Sequence, residues 1–351
     1  MSPGATNSTW PRLAWALLVG VLATRLLTMA LYPVMDSTES RYAEMARLMV
    51  ESGSWLMPQF EPGVPFWGKP PLFAWLSGSA FELLGVSAFA ARLPHFALGL
   101  GTLWLVLSMA RHEPGRRPAV LAAALLASMP LFYVSTGAVM TESALLFSTT
   151  LSMAGFWIGT QTASRAWGLA FFAGLGLGML AKGPVAVVMT LLPIGMWLLS
   201  QRQLGALARL PWLSGIALAL LIALPWYLAA EAYSPGFLSY FLVGEHLLRF
   251  LQPGWEGDLY GNAHAQPRGM IWLYWLQAGG AWSLVALAGL VQARKARLFA
   301  DPWRRYLLCW MIAPLLFFSF STNILWTYVI SGLPALALLL VAGRTQREAA
   351  T

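Results

Sequence analysis

The chain has 351 residues, of which 58% are hydrophobic and only 10% charged, and its mean hydropathy is +0.63. A water-soluble domain of this size has too little interior to hide that much apolar surface, so the composition excludes a globular aqueous protein and predicts an all-α, polytopic membrane bundle. The formal charge of +8 does not indicate nucleic-acid binding, because the basic residues are spread over short connections between apolar segments rather than gathered in one patch.

In chain order, apolar segments lie near 12–32, 88–110, 118–134, 142–160, 166–181, 184–200, 211–230, 269–291, 306–321 and 324–342. Most approach the ~20 residues that cross a bilayer, which predicts about ten transmembrane helices; the stretch 71–85 is ambiguous. With the N-terminus inside, the cytoplasmic side collects Arg12, Arg111, Arg116, Arg117, Arg165, Arg202, Arg209, Arg294, Lys295, Arg297, Arg304, Arg305, Arg344 and Arg347. These are most of the 22 basic residues, and of the 14 acids only Glu113, Asp301 and Glu348 accompany them. The positive-inside rule therefore predicts that both termini are cytoplasmic. Arg25 interrupts the first segment and no small-residue cleavage site follows it, so it reads as an uncleaved helix. No linker, low-complexity run or repeat is visible, and a single membrane domain over 1–351 without a C-terminal soluble domain is expected. Cys309 stands alone, which precludes an intramolecular disulfide.

Two outer loops stand out for length, about 33–87 and about 231–268, and loops that long usually carry function. In the first, Tyr42, Met45, Ala46, Met49 and Val50 recur at helical spacing opposite Arg41, Glu44, Arg47 and Glu51. This predicts an amphipathic juxtamembrane helix ended by Gly53. Asp36 and Glu39 at its start fit a capping pair that satisfies free N–H groups. They equally fit general bases at the mouth of a membrane cavity. Lys69, in Gly68-Lys69-Pro70-Pro71, and Lys182, in Lys182-Gly183-Pro184, both fall at proline-containing turns on the outer side. A compact ammonium there suits a phosphate, although Lys69 could also snorkel to lipid headgroups. Glu245, His246, Glu256, Asp258 and His264 share the second loop, but their spacing matches no metal-ligand motif. His95 and His112 are expected at the interface or in a solvated loop, while Arg25 and Arg92 are costly cations within or beside apolar runs, suited to a function, a lipid phosphate or a helix end.

The order Asp36…Glu39-x-Arg41-Tyr42-Ala43-Glu44, Gly68-Lys69-Pro70-Pro71, Ala90-Ala91-Arg92-Leu93-Pro94, Lys182-Gly183-Pro184 and Glu245-His246-x-x-Arg249-Phe250 resembles one family. It is similar to the bacterial aminoarabinose transferase and protein O-mannosyltransferase-like group of GT-C glycosyltransferases, over about residues 10–342. The resemblance implies an inverting enzyme of a bacterial inner membrane. Such an enzyme would move a sugar from a polyprenyl-phosphate donor to an acceptor on lipid A, a glycan or a protein hydroxyl. Some GT-C enzymes use a divalent ion, but inversion at a phosphate-activated sugar needs only a base and cations around the leaving group, so no cofactor or metal is required. The resemblance assigns the base to Asp36 or Glu39 and the donor phosphate to Arg41, Tyr42, Lys69 and Lys182. Glu142, Glu245, His246, Arg249 and His264 take supporting roles. The chain departs from the family pattern at Thr38, where relatives carry an acid, at Gly68, at Glu142 in place of Asp, and at Ile324-Leu325-Trp326 in place of Lys-Leu-Pro. These departures keep open a relative that binds polyprenyl phosphate without turnover. A lipid-phosphate flippase or transporter, gated by the Pro/Gly breaks at 181–184 and 253–269, is the third reading.

Overall fold

A computed structural model describes residues 10–113, 119–261, 264–295 and 301–348; Arg116, Arg117 and Arg297 of the cytoplasmic set lie outside the described residues. The chain begins with α1 (Trp10–Leu31), whose side chains are mostly exposed, as lipid contact requires. The first long connection folds into α2 (Ser37–Ser52), a two-stranded hairpin of β1 (Gln59–Glu61) and β2 (Val64–Pro65), and α3 (Leu72–Leu84). Then come α4 (Ala88–Arg111), α5 (Ala119–Ala127), α6 (Pro130–Ser135), α7 (Thr141–Thr162), α8 (Arg165–Lys182) and α9 (Pro184–Gln201). A 3₁₀ turn at Leu204–Arg209 leads into α10 (Trp212–Tyr233). The second long connection holds a π-helical turn at Ser239–Leu248 that continues as α11 (Arg249–Leu251). The chain closes with α12 (Met270–Gly279), α13 (Ala281–Lys295), α14 (Pro302–Phe318), a 3₁₀ turn at Trp326–Gly332 and α15 (Leu333–Glu348).

Among the described residues four helices are long and apolar enough to cross a membrane: α1, α4, α9 and α10. The pair α12 and α13, bent by 109° at Gly280, makes a fifth if taken as one span. The expected ten are not reached by this measure, for identifiable reasons. Pro130 splits the 118–134 segment into α5 and α6. The segment 324–342 starts as a 3₁₀ turn. The full length of α7 is diluted by Thr141, Ser148, Thr149, Thr150 and Ser152, whose side chains are buried between helices instead of facing lipid.

Packing depends on small residues where helices meet, because dispersion and close backbone approach replace the hydrophobic drive inside lipid. Gly155 of α7 lies against α8 so closely that a Cβ would come within 2.4 Å of the Phe171 nitrogen. Towards one end of the bundle, Phe156, Trp157, Trp197, Trp303 and Tyr306 stack on one another, and the Tyr306 hydroxyl donates to the Met153 carbonyl oxygen at 2.7 Å.

The amphipathic reading of α2 holds: Met45, Ala46 and Met49 are buried, and Arg47 pairs with Glu44 and Glu51 on the opposite face. Gly53, at φ 67°, closes the helix. His95 departs from expectation. It is fully buried in α4, with Ser77 Oγ at 3.1 Å and Ser143 Oγ at 2.8 Å on its two ring nitrogens, so a polar pocket between helices satisfies it without water. Arg25 and Arg92 both serve helix ends. Arg25 donates to the Val134 carbonyl oxygen at 2.7 Å, and Arg92 donates to the carbonyl oxygens of Met29, Tyr32 and Pro33 at the C-terminal end of α1.

Candidate functional site: a cation-lined cavity

The site is built where α8 stops. Gly183 has φ +76° and would drive a Cβ to 2.5 Å from the Phe241 ring, so both backbone angle and space demand glycine there. Pro184 then starts α9 in the first-turn position that needs no N–H. This break leaves Lys182 buried at the end of α8. Its Nζ donates to Glu142 Oε1 at 2.7 Å from the first turn of α7 and lies 5.1 Å from the centre of the Tyr328 ring.

Lys69 arrives from the first long connection. Its Nζ donates to the Gly68 carbonyl oxygen at 2.6 Å and to Glu245 Oε2 at 3.0 Å. Glu245, on the π-helical turn, also accepts from Arg249 Nη1 at 3.1 Å on each oxygen and from the Tyr240 hydroxyl at 3.2 Å. Burial opposes its charge, but Lys69 and Arg249 outweigh that and hold its carboxyl below the usual range. Arg249 reaches a second carboxylate, Asp258 Oδ2, at 3.1 Å, while its Nε is buried without a partner. Burial lowers the His246 pKa, so the ring is neutral and has one N–H to give. The shorter contact, Nδ1 to the Phe241 carbonyl oxygen at 2.7 Å, takes that proton.

These groups line a cavity of about 360 Å³. Lys69, Lys182, Arg249, Glu245, His246 and Tyr328 are prominent in its polar lining, which Ser321 and Asn323 complete, and Val185, Val188, Met189, Leu242, Phe250 and Phe317 are prominent in its apolar walls. Three cations within largely apolar walls suit a ligand with one anionic group and a hydrocarbon chain.

The structure brings together Lys69, Lys182, Glu245, His246 and Arg249, with Glu142 one contact behind. The remaining predicted site residues do not line the cavity. Asp36 is exposed and acts as the N-cap of α2, its Oδ1 accepting from the N–H groups of Thr38 at 2.8 Å and Glu39 at 3.2 Å. That is half of the capping pair. The other half is absent because Glu39 turns away to Arg92, with both carboxylate oxygens 2.7 Å from guanidinium nitrogens and Oε1 also accepting from Val139 N–H at 3.1 Å. Arg41 donates to the Tyr260 carbonyl oxygen at 2.9 Å and covers Phe60. Tyr42 packs against Phe73 with ring centroids 4.5 Å apart. The His264 side chain is exposed; its carbonyl oxygen accepts from Ile324 N–H at 3.1 Å. Among the described residues no three His, Cys, Asp or Glu side chains are grouped to hold a metal ion.

Sequence reasoning missed Asn323 and Tyr328 as cavity residues. Asn323 Nδ2 donates to the carbonyl oxygens of Arg249 and Gln252 at 2.6 and 2.7 Å, which fixes the end of the π-helical turn. Their signal was weak, since one amide and one phenol at the end of an apolar run have no spacing that marks them. Asp36→Ala removes the cap of α2 and is expected to cost about 1 kcal/mol. Asp36→Asn is expected to restore the loss, both read from thermal unfolding in detergent.

The fold and the cavity define an integral membrane protein, all-α in architecture, with a cationic seat inside apolar walls. A family profile described as dolichyl-phosphate-mannose-protein mannosyltransferase matches residues 8–241, and the chain belongs to that family, as its motifs suggested. It is 32% identical over 338 residues to the undecaprenyl phosphate-alpha-4-amino-4-deoxy-L-arabinose arabinosyl transferase of Aeromonas salmonicida, covering 93% of this chain and 59% of that protein. The corresponding Sodalis glossinidius transferase 1 is 34% identical over 314 residues, covering 87% and 54%. The chain thus spans a little over half the length of these curated relatives. Among solved structures, ArnT from Cupriavidus metallidurans bound to undecaprenyl phosphate superposes with a TM-score of 0.83 at 24% identity, covering 97% of this chain and 61% of that one. The apo Archaeoglobus fulgidus oligosaccharyltransferase gives 0.60 at 14% identity, covering 95% and 50%. Both likenesses concern the fold.

Proposed function

We propose that the protein transfers a sugar from a polyprenyl-phosphate donor to an acceptor hydroxyl with inversion. The observation that carries this reading is the convergence of Lys69, Lys182 and Arg249 on one apolar cavity, with a buried Arg249 N–H still unpartnered. In the reaction the acceptor oxygen bonds to the anomeric carbon and gives its proton to a carboxylate. The sugar–phosphate C–O bond breaks, and its electron pair leaves with the phosphate. Charge grows on that phosphate in the transition state, and fixed cations stabilise it more there than in the ground state. Asp36 is the carboxylate we assign as base: both of its capping bonds fall on Oδ1, whereas Glu39 has both oxygens committed to Arg92. No metal enters this scheme.

The names of the relatives make undecaprenyl phosphate-linked 4-amino-4-deoxy-L-arabinose the first donor to offer. Lipid A, a glycan and a protein hydroxyl are the acceptors to offer with it. We assign the cavity to the outer face and both termini to the cytoplasm, because the connections on the Arg165 side of α8, opposite Lys182, carry most of the basic residues; the bacterial inner membrane is carried by the family resemblance. The commitment of Glu39 to Arg92 and the position of Asp36 outside the cavity lining favour one second reading, a binder of polyprenyl phosphate without turnover.

The test uses purified protein in lipid nanodiscs with labelled undecaprenyl-phosphate sugars, measuring donor binding and transfer together. Binding with transfer that Asp36→Asn abolishes supports the enzyme and its base. Binding without transfer to any of the three acceptor classes supports the second reading. No binding of undecaprenyl phosphate overturns both.

A further inference from the structure

Glu245 is the one carboxylate lining the cavity among the described residues, and it stands between two of the three cations. Its side chain is 3% exposed, so it has no solvent partner to fall back on. Each oxygen takes two donors, Lys69 and Arg249 on Oε2 and Arg249 and Tyr240 on Oε1. This is the kind of donor set that an anionic phosphate oxygen would use. The cations are not stranded if Glu245 lets go. Arg249 keeps Asp258, whose side chain does not line the cavity, and Lys69 keeps the Gly68 carbonyl oxygen.

From this we infer that Glu245 is a built-in counter-ion occupying the phosphate seat of the empty protein, exchanged for the phosphate of the incoming lipid. The inference rests on the lipid-phosphate reading proposed above. Exchange makes Glu245 a positioning residue with an unusual sign. It competes with the ligand for Lys69 and Arg249, so it limits how tightly phosphate is held and speeds release of the lipid phosphate after transfer. Without it, an apolar cavity carrying three cations would hold a lipid phosphate too firmly to turn over.

The experiment measures undecaprenyl phosphate binding in nanodiscs of neutral lipid for the wild type, Glu245→Gln and Glu245→Asp. Steady-state donor kinetics are measured on the same samples, and unfolding temperature is the fold control. Glu245→Gln keeps the shape and is expected to bind about ten- to a hundredfold more tightly, the worth of one charge-assisted contact that no longer has to be broken. KM for the donor and kcat are both expected to fall, because product leaves more slowly. A residue that merely holds the cavity together would instead weaken binding and raise KM. Glu245→Asp retracts the carboxylate by one methylene and is expected to tighten binding by a smaller factor; it decides the matter if the glutamine variant does not fold. Equal or weaker binding by the folded variants, with the wild type binding normally, overturns the counter-ion role and leaves the proposed function standing. Failure of the wild type to bind overturns the proposed function itself.

Discussion

Arg249→Ala is expected to reduce undecaprenyl phosphate binding by at least about a hundredfold and to take sugar transfer below detection. The size follows from what the guanidinium does in the closed cavity. It holds Glu245 through both oxygens and Asp258 through one, all at 3.1 Å. Its removal subtracts a phosphate partner and also leaves Asp258 buried with its cation gone, and truncating one member of a buried charge pair typically costs about 2–5 kcal/mol. Arg249→Lys is expected to recover only part of the loss: Nη1 alone makes all three contacts, but an ammonium has no counterpart of the buried, unpartnered Nε–H that the guanidinium still offers a phosphate. Equilibrium binding of labelled lipid, with unfolding temperature as the fold control, is the check. Binding by Arg249→Ala within threefold of the wild type would remove Arg249 from the seat. The opposite sign expected for Glu245→Gln separates the two residues although they touch.

Arg92→Met is expected to have the largest effect on stability, about 3–5 kcal/mol, because it breaks a buried ion pair from one side. The cost extends beyond Glu39. The same guanidinium closes the carbonyl oxygens of Met29, Tyr32 and Pro33, so its loss opens the C-terminal end of α1 as well. Glu39→Gln leaves an amide that can still accept from Arg92 and is expected to cost less. The measurement is unfolding temperature in detergent together with transfer per folded molecule. A lowered melting temperature with near-normal transfer in the surviving folded fraction is the expected pattern, since neither residue lines the cavity. Loss of transfer by fully stable Arg92→Met would instead place the pair in the chemistry.

The two variants mark the boundary of what could be read along the chain. Lys69, Lys182, Glu245 and Arg249 are legible because a charge in an apolar chain is expensive and must have a partner, and each lies in a long loop or at a glycine–proline break. The helix α2 is legible from its periodicity. Pairing is not: Glu39 meets Arg92 and Lys69 meets Glu245 only after helices pack, and no local spacing encodes such contacts. Asp36 and Glu39 look alike in sequence, yet one caps a helix in the open and the other is buried in a clamp. Helix count fails for a related reason. Hydropathy measures how apolar a segment is, whereas α7 hides its hydroxyls among neighbouring helices and α12 and α13 meet at a bend of 109°.

The three cations belong to stretches far apart along the chain: Lys69 between the hairpin and α3, Lys182 at the end of α8, and Arg249 at the end of the π-helical turn. A single phosphate gripped by all three would join these stretches as a non-covalent cross-link, closing large loops of chain at once. The lipid would then be part of the tertiary structure while it is bound. Its arrival would raise the unfolding temperature, and its departure would loosen the two long connections against the helices beneath them.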